Sequence, residues 1–270
     1  MKTQKHFYPA ADANKQPTSR WYFGRAVYVS RIDYRKIFLV FISVGIPAGL
    51  IGLVFEVNWL WYGALGLGAL GVLLLIYSLW GLYRQYGAPA KNYFARMLQN
   101  AGVSGKITLV DIHIGTYRHT YLFANLLPEA VIHSIDCWED GFSSEQAISD
   151  VRALEPAPAH EPRIKPVKAK NYTLPLADES CDVVVFGFGT HEIPEGRERD
   201  TIFAEARRIL KPGGKLIMFE HGIDFHNYLI FGPVIYHVTQ HKAWVERLQK
   251  QYAKVSEDRM YAVNMLTVEK

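Results

Sequence analysis

The hydrophobic and polar positions divide the chain into three parts. Residues 1–36 mix basic and aromatic side chains, residues 37–86 hold two apolar runs, and residues 88–270 alternate short apolar runs with amphipathic segments. The apolar runs at 37–57 and 59–83 are each about 20 residues or more, enough for a helix to cross the hydrocarbon core of a bilayer. Because so few residues separate them, the sequence predicts a tight transmembrane helical hairpin with the membrane lipid bilayer as its partner.

Charge sets the expected orientation of this hairpin. Lysine and arginine are frequent before the first apolar run and return after the second, whereas the connection contains neither. Positively charged flanks favour the cytoplasmic side, so we expect a multi-pass membrane protein whose N-terminus and soluble domain are both cytoplasmic. The tryptophans and tyrosines within residues 1–36 favour a segment that lies at anionic headgroups; a solvated tail is the alternative.

The pattern from residue 88 onward is typical of an α/β domain. Expected strands alternate with expected helices, which implies a doubly wound, mostly parallel sheet. The expected strands are 107–111, 130–135, 164–169, 181–187, 215–220 and 259–269, and the expected helices are 117–127, 143–154, 197–210 and 237–253.

The two cysteines of this 270-residue chain are Cys137 and Cys181, and both fall in or beside expected strands. Their spacing does not suggest a zinc site. We expect buried, reduced thiols in a domain that faces the cytoplasm. The net charge of +4 is not by itself a nucleic-acid signal, and no nucleic-acid partner is expected.

The stretch at 107–120, ITLVDIHIGTYRHT, combines an expected strand, a tight turn and the start of a helix. Asp111 ends the apolar run, and Gly115 permits a turn that other residues resist. Two further stretches follow it, LPLADESCDVVV at 174–185 and ILKPGGKL at 209–216. In this order, the stretches resemble the motifs of class I S-adenosylmethionine (SAM)-dependent methyltransferases.

The resemblance implies a seven-stranded Rossmann-like methyltransferase fold and SAM as the cofactor. In the family, the position of Asp136 holds an acid that takes the ribose hydroxyls, and the position of Asp111 holds the acid that orders the glycine loop. The cofactor-binding residues implied by the resemblance are Asp111, His113, Gly115, Asp136, Thr173 and Leu174.

The chain departs from the family motifs at three positions. His113 and Tyr117 stand where the first and third glycines are expected, and Lys170 stands where an acid is common near the adenine. A histidine at position 113 must point away from the ligand, narrow the pocket or contribute chemistry. The sequence leaves these three alternatives open.

The catalytic candidates are histidines that follow expected strands. His191 follows the fourth, His221 the fifth and His113 the first. Carboxyl ends of neighbouring parallel strands meet at one crevice, so these histidines can converge there. We predict His191 or His221 as a general base. No metal is predicted; a metal site built from the three histidines is the weaker hypothesis, and ordinary hydrogen bonding to backbone is the structural alternative.

The apolar stretch at 228–236, YLIFGPVIY, lies where family members contact the acceptor. Together with the expected anchor it favours a hydrophobic small-molecule acceptor, such as a lipid or a quinone precursor. The leading function is a membrane-anchored SAM-dependent methyltransferase. The alternative is a catalytically inactive, methyltransferase-like subunit that anchors or stabilises a membrane protein partner.

Overall fold

Two long antiparallel helices precede an α/β domain. The structure is a computed structural model and describes residues 8–138 and 146–270. Helix α1 (Ser19–Val54) and helix α2 (Asn58–Tyr86) form a hairpin. Their apolar portions, Tyr34–Val54 and Asn58–Tyr86, are long enough to cross a membrane, and only 12% and 22% of their most apolar windows are buried within the protein. A core helix of a soluble protein would bury most of its apolar surface, whereas these two helices expose an apolar surface that the described residues do not cover.

The predicted boundary after residue 36 does not coincide with a break in the structure. Helix α1 begins at Ser19, capped by the Thr18 hydroxyl, and continues without interruption to Val54. Tyr22, Arg25 and Ala26 are buried, and Tyr22 belongs to one hydrophobic core of the α/β domain. The prediction of a separate surface-lying segment therefore needs correction, because part of its aromatic and basic face packs against protein instead.

The α/β domain is built on a seven-stranded sheet, as predicted. In the described residues the strand order is β3-β2-β1-β4-β5-β7-β6; β1 to β5 are parallel, and β7 is antiparallel to both β5 and β6. The strands are β1 (Thr108–His113), β2 (Val131–Asp136), β3 (Ile164–Lys168), β4 (Cys181–Gly187), β5 (Leu210–His221), β6 (Val255–Met260) and β7 (Val263–Glu269).

Helices cover both faces of this sheet. The central strands β1 and β4 are almost wholly buried, which explains why their sequences are continuous apolar runs rather than alternating ones. Both cysteines are buried and neither is part of a disulfide, as predicted. The remaining helices are α3 (Ala90–Asn100), α4 (Arg118–Leu126), α5 (Gln146–Leu154), α6 (Arg197–Ile209), α7 (Phe225–Phe231) and α8 (His241–Gln249).

Helices α3 and α7 were not predicted, and three further elements differ from the sequence prediction. The single strand expected at 259–269 is a hairpin, because Tyr261 and Ala262 both adopt positive φ (53° and 66°) and reverse the chain. Helix α8 begins at His241 rather than at 237, after a 3-10 turn at Gly232–His237. Strand β5 begins at Leu210, before the expected residue 215. The predicted cap of the helix at 143–154 lies outside the described residues.

Candidate active site

A cavity of about 220 Å³ lies between the helical hairpin and the ends of β1, β4 and β5. Ala26 and Val29 of α1 and Leu82 of α2 line one side. The α/β domain supplies the other side through the segments that follow β1, β4 and β5, through α5, and through the turn at 232–237. Most of these side chains are apolar, so the cavity suits an apolar ligand.

His191 enters the cavity from a 3-10 turn, Thr190–Glu192, that follows β4. Its Nδ1 lies 3.0 Å from a carboxylate oxygen of Glu220, and its Nε2 lies 3.4 Å from Glu192 Oε1. Burial lowers the pKa of His191, but the two carboxylates outweigh burial and raise it to about 10. At neutral pH this imidazole is therefore protonated, which does not suit the predicted role of proton acceptor.

His221 also lines the cavity and has the opposite electrostatic character. Its ring stacks on Phe188 with centroids 4.3 Å apart, and its Nε2 lies 3.1 Å from the hydroxyl of Tyr86. Burial lowers the pKa of His221 to about 3, so the ring is neutral. Its Nδ1 is buried without a hydrogen-bond partner among the described residues. His221 is therefore a weak base, and its Nδ1 is buried away from the open part of the cavity.

His113 does not join the other two histidines. It is buried, with Nε2 2.8 Å from the Ser134 hydroxyl, and its Nδ1 accepts a hydrogen bond of 2.9 Å from the Gly115 amide. Burial lowers its pKa to about 4, so it is neutral. Because its ring points to β2 and does not line the cavity, the convergence of His113, His191 and His221 on one metal is wrong.

Asp111 lies deep beneath the first turn. Its Oδ2 accepts a hydrogen bond of 2.5 Å from the Thr120 hydroxyl, which lies 2.8 Å from Ser134 Oγ. Burial raises the pKa of Asp111 to about 7, although the Thr120 hydroxyl acts in the opposite direction. Asp111 therefore ties β1 to α4 from below the turn and does not line the cavity.

Arg152 of α5 occupies the space beside Gly115 and Asp136. Gly115 has a φ of +98°, and a Cβ on it would lie 1.9 Å from Arg152 Nη1. Arg152 donates two hydrogen bonds of 2.9 Å to Asp136 and one of 2.7 Å to the Ile114 carbonyl. Although burial raises the pKa of Asp136, the Arg152 hydrogen bond outweighs it, and the net pKa is lowered. The guanidinium fills the position that the resemblance assigns to the ribose of SAM.

The two residues predicted on the adenine side are positioned differently. Thr173 is exposed, and the Leu174 side chain belongs to the core beneath the sheet. The Leu174 amide donates to a carboxylate oxygen of Glu205 at 2.9 Å, and its carbonyl accepts from Arg208 at 3.0 Å. Neither residue lines the cavity.

Sequence reasoning missed the charged side chains that join α1 and α2 to the site. Arg25 pairs with Glu155, which also accepts hydrogen bonds from the hydroxyls of Tyr22 (2.8 Å) and Thr116 (3.0 Å). Arg118 is buried and lines the cavity, donating to the Gln85 carbonyl and the Tyr93 hydroxyl. The basic, aromatic composition of residues 1–36 was the available signal for Arg25, but it fits a membrane surface equally well.

Comparison with known proteins identifies the domain. A family model described as a methyltransferase domain matches residues 110–218, which span β1 to β5. Residues 110–218 form a class I SAM-dependent methyltransferase domain. SAM is the methyl donor of this family.

The curated relatives are quinone-pathway methyltransferases by name. A ubiquinone/menaquinone biosynthesis C-methyltransferase (UbiE) of Syntrophotalea carbinolica is 29% identical over 123 residues, covering 46% of this chain and 47% of that protein. A demethylmenaquinone methyltransferase of Bacillus velezensis is 43% identical over 47 residues, 17% of this chain and 19% of that protein. The chain thus spans less than half the length of these relatives.

Among solved structures, a putative O-methyltransferase of Nostoc punctiforme has a TM-score of 0.50 at 12% identity. The match covers 71% of this chain and 60% of that one. At this identity the likeness concerns the fold alone.

The residue types around Gly115 and Asp136 fit SAM, with one condition. Asp136 offers a carboxylate at the end of β2, and Gly115 leaves room beside the first turn. The group that fills this room is the far end of a flexible arginine rather than backbone. SAM therefore fits here when the Arg152 side chain turns away from Asp136.

Proposed function

We propose that the protein is a membrane-anchored SAM-dependent methyltransferase that acts on a hydrophobic, quinone-like small molecule. The observation that carries this proposal is the composition of the cavity wall. Apolar residues of both membrane-type helices and the ends of the methyltransferase strands enclose the same space. An acceptor that reaches the methyl donor there must therefore touch the anchor helices.

The size of the cavity limits the part of the acceptor that it encloses. Pockets that enclose whole drug-sized ligands are usually about 300–1,000 Å³, whereas this cavity is about 220 Å³. It suits a single ring-sized head group, and a long apolar tail extends outside it. The names of the curated relatives support a ubiquinone- or menaquinone-like precursor as this acceptor.

In this proposal, SAM supplies an electrophilic methyl group. Asp136 accepts hydrogen bonds from its ribose hydroxyls after Arg152 withdraws. Arg118, a buried cation that has no carboxylate partner in the part of the chain described, is suited to the carboxylate of the methionine moiety. The apolar wall excludes water and orients the acceptor ring, and positioning of this kind supplies much of the rate of methyl transfer. The neutral His221 ring, stacked on Phe188, forms part of the wall against which the acceptor ring packs.

A second function is favoured by the Arg152–Asp136 ion pair. If that pair never opens, the ribose site stays filled and the domain binds no SAM. The chain would then be a catalytically inactive subunit that holds a membrane protein partner through the hairpin. This alternative retains the fold and the anchor but not the chemistry.

Calorimetric titration of the detergent-purified full chain with SAM and with S-adenosylhomocysteine separates the two functions. We expect binding of both, and an Asp136→Ala variant should bind at least tenfold more weakly, since each charged hydrogen bond contributes about 1.5–3 kcal/mol. Mass spectrometry should then detect methylated product from demethylated naphthoquinol or benzoquinol acceptors in lipid nanodiscs. Absence of SAM binding in a folded protein would support the inactive subunit instead.

A further inference from the structure

A cluster of three potential metal ligands lies in the cavity wall. Glu192 Oε1 is 3.4 Å from His191 Nε2 and 3.3 Å from His237 Nε2. The three ligand atoms all lie within 4.8 Å of one another. His191 and Glu192 come from the turn after β4, while His237 ends the 3-10 turn at Gly232–His237, so two separate segments bring the ligands together.

Both histidines are oriented by an oxygen on their other ring nitrogen. His191 Nδ1 faces the Glu220 carboxylate at 3.0 Å, and His237 Nδ1 faces the Val234 carbonyl. A proton on each Nδ1 leaves both Nε2 atoms directed toward Glu192 as the candidate ligands. His191 is protonated in the metal-free protein, so an ion that binds its Nε2 releases that proton to solvent. Metal-bound histidines in proteins are almost always held in this way, by a carboxylate or a backbone carbonyl.

Glu220 and the turn that carries His191 are each held in place by further hydrogen bonds. The second oxygen of Glu220 accepts hydrogen bonds from the amides of Gly189 (3.1 Å) and His191 (3.3 Å). Arg199 donates to the carbonyls of His191 and Ile193, which holds the turn from its other side. The histidine ring and its carboxylate are therefore placed by the fold.

The spacing and the types of the ligands indicate which ion fits. Two ligand atoms bound at about 2.05 Å with tetrahedral angles lie about 3.3 Å apart, close to the two distances from Glu192 Oε1. Two imidazoles and one carboxylate are the ligands of catalytic zinc sites and of non-haem iron(II) sites. Both site types leave further coordination positions open.

We propose that His191, Glu192 and His237 form a divalent transition-metal site of the zinc or iron(II) class at the wall of the acceptor cavity. All three residues line the cavity, so an open coordination position faces its interior. A hydroxyl or carbonyl oxygen of the bound acceptor is the ligand suited to that position. The site itself does not depend on the proposed methyl transfer, because its occupancy is measured without SAM.

The test uses the full chain purified in detergent, stripped with a chelator and titrated with Zn²⁺ or Co²⁺ at neutral pH. We expect about one ion per chain by elemental analysis, and visible absorption of tetrahedral type from bound Co²⁺. Glu192→Gln and His237→Ala should each weaken binding at least tenfold. His241→Ala is the matched control. His241 lies outside the cavity wall, where its Nε2 is 2.7 Å from a carboxylate oxygen of Glu257, so this variant should bind metal like the wild type.

Two results would overturn the proposal. One is a folded wild-type chain that binds no more metal than Glu192→Gln or His237→Ala; the three residues would then be only an ion-pair network. The other is metal binding that His241→Ala weakens as strongly as the two cavity variants. Thermal unfolding of every variant confirms that lost binding is not lost structure, and a parallel SAM titration keeps failure of this site distinct from failure of the proposed methyltransferase function.

Discussion

Arg152 and Asp136 are joined by two parallel hydrogen bonds, each 2.9 Å long, at the end of β2. The same guanidinium stacks over the Trp138 ring at 4.9 Å and binds the Ile114 carbonyl. While Asp136 accepts both hydrogen bonds from Arg152, its carboxylate oxygens are not available to the ribose hydroxyls of SAM. In the proposed function, SAM binds at Asp136 and must displace Arg152, so part of its binding free energy opens this ion pair.

The first prediction is that Arg152→Met increases the affinity for SAM. Removing the guanidinium frees both oxygens of Asp136 and the space beside Gly115, so the dissociation constant should fall about tenfold or more. Arg96→Met is the control, because Arg96 holds Asp258 in the same two-bond fork (2.6 and 2.7 Å) at the far edge of the sheet. Calorimetric titration measures the dissociation constant for SAM of each variant. Weaker SAM binding by Arg152→Met would mean that this arginine contacts SAM rather than excluding it.

The second prediction concerns the buried carboxyl of Asp111. Its pKa is raised to about 7, so the folded state keeps a proton that the unfolded state has already lost above about pH 4. The folded state is therefore destabilised progressively as the pH rises from about 4 to 7. Asp111→Asn removes that penalty and should stabilise the protein by up to about 4 kcal/mol near pH 8, with little effect near pH 4.

Thermal unfolding in detergent across this pH range measures the effect. Asp258→Asn is the opposite control: although burial raises its pKa, Arg96 outweighs burial and lowers it, so this substitution should cost stability at neutral pH and not at low pH. A pH-independent difference between Asp111→Asn and the wild type would show that the carboxyl is not buried in its neutral form.

The third prediction concerns His113, whose Nδ1 accepts the Gly115 amide proton. His113→Gly removes this bond and leaves a cavity, so it should lower stability by about 1–3 kcal/mol and loosen the first turn. His113→Asn should lose less stability, because an asparagine side chain can accept a hydrogen bond from the backbone amide two residues later, here that of Gly115. Neither change should affect metal binding at His237. If His113→Gly lost metal binding while its stability was unchanged, that result would support a metal site that includes His113 and contradict this prediction.

The fourth prediction tests the acceptor cavity. Val29 of α1 faces it, so Val29→Trp should fill part of the space and raise KM for an apolar acceptor at least tenfold, while SAM affinity stays unchanged. Val40→Trp is the control on the same helix, since Val40 is 63% exposed on its outer face. Equal KM values for the two variants would place the acceptor elsewhere.

The fold was predictable because its signals are local. The run CDVVVFG and the turn KPGG are set by burial and backbone geometry, and β4 has the predicted bounds. The final hairpin was missed because Tyr261 and Ala262 are not the residues that usually adopt positive φ. The site was less predictable because it depends on contacts between distant segments. The separation of two residues along the sequence does not indicate that Arg152 contacts Asp136 or that His237 contacts Glu192.

The last prediction concerns the orientation of the hairpin. The connection between α1 and α2 carries no lysine or arginine, while both flanks do, so the tip should lie outside the cytoplasm. A cysteine at exposed Asn58 should react with a membrane-impermeant maleimide added to intact cells. A cysteine at exposed Ala157 in the α/β domain should react only after lysis. Native Cys137 and Cys181 are buried and should give little background. Reaction of the 157 variant in intact cells, or extraction of the protein by carbonate alone, would contradict a hairpin with both ends in the cytoplasm.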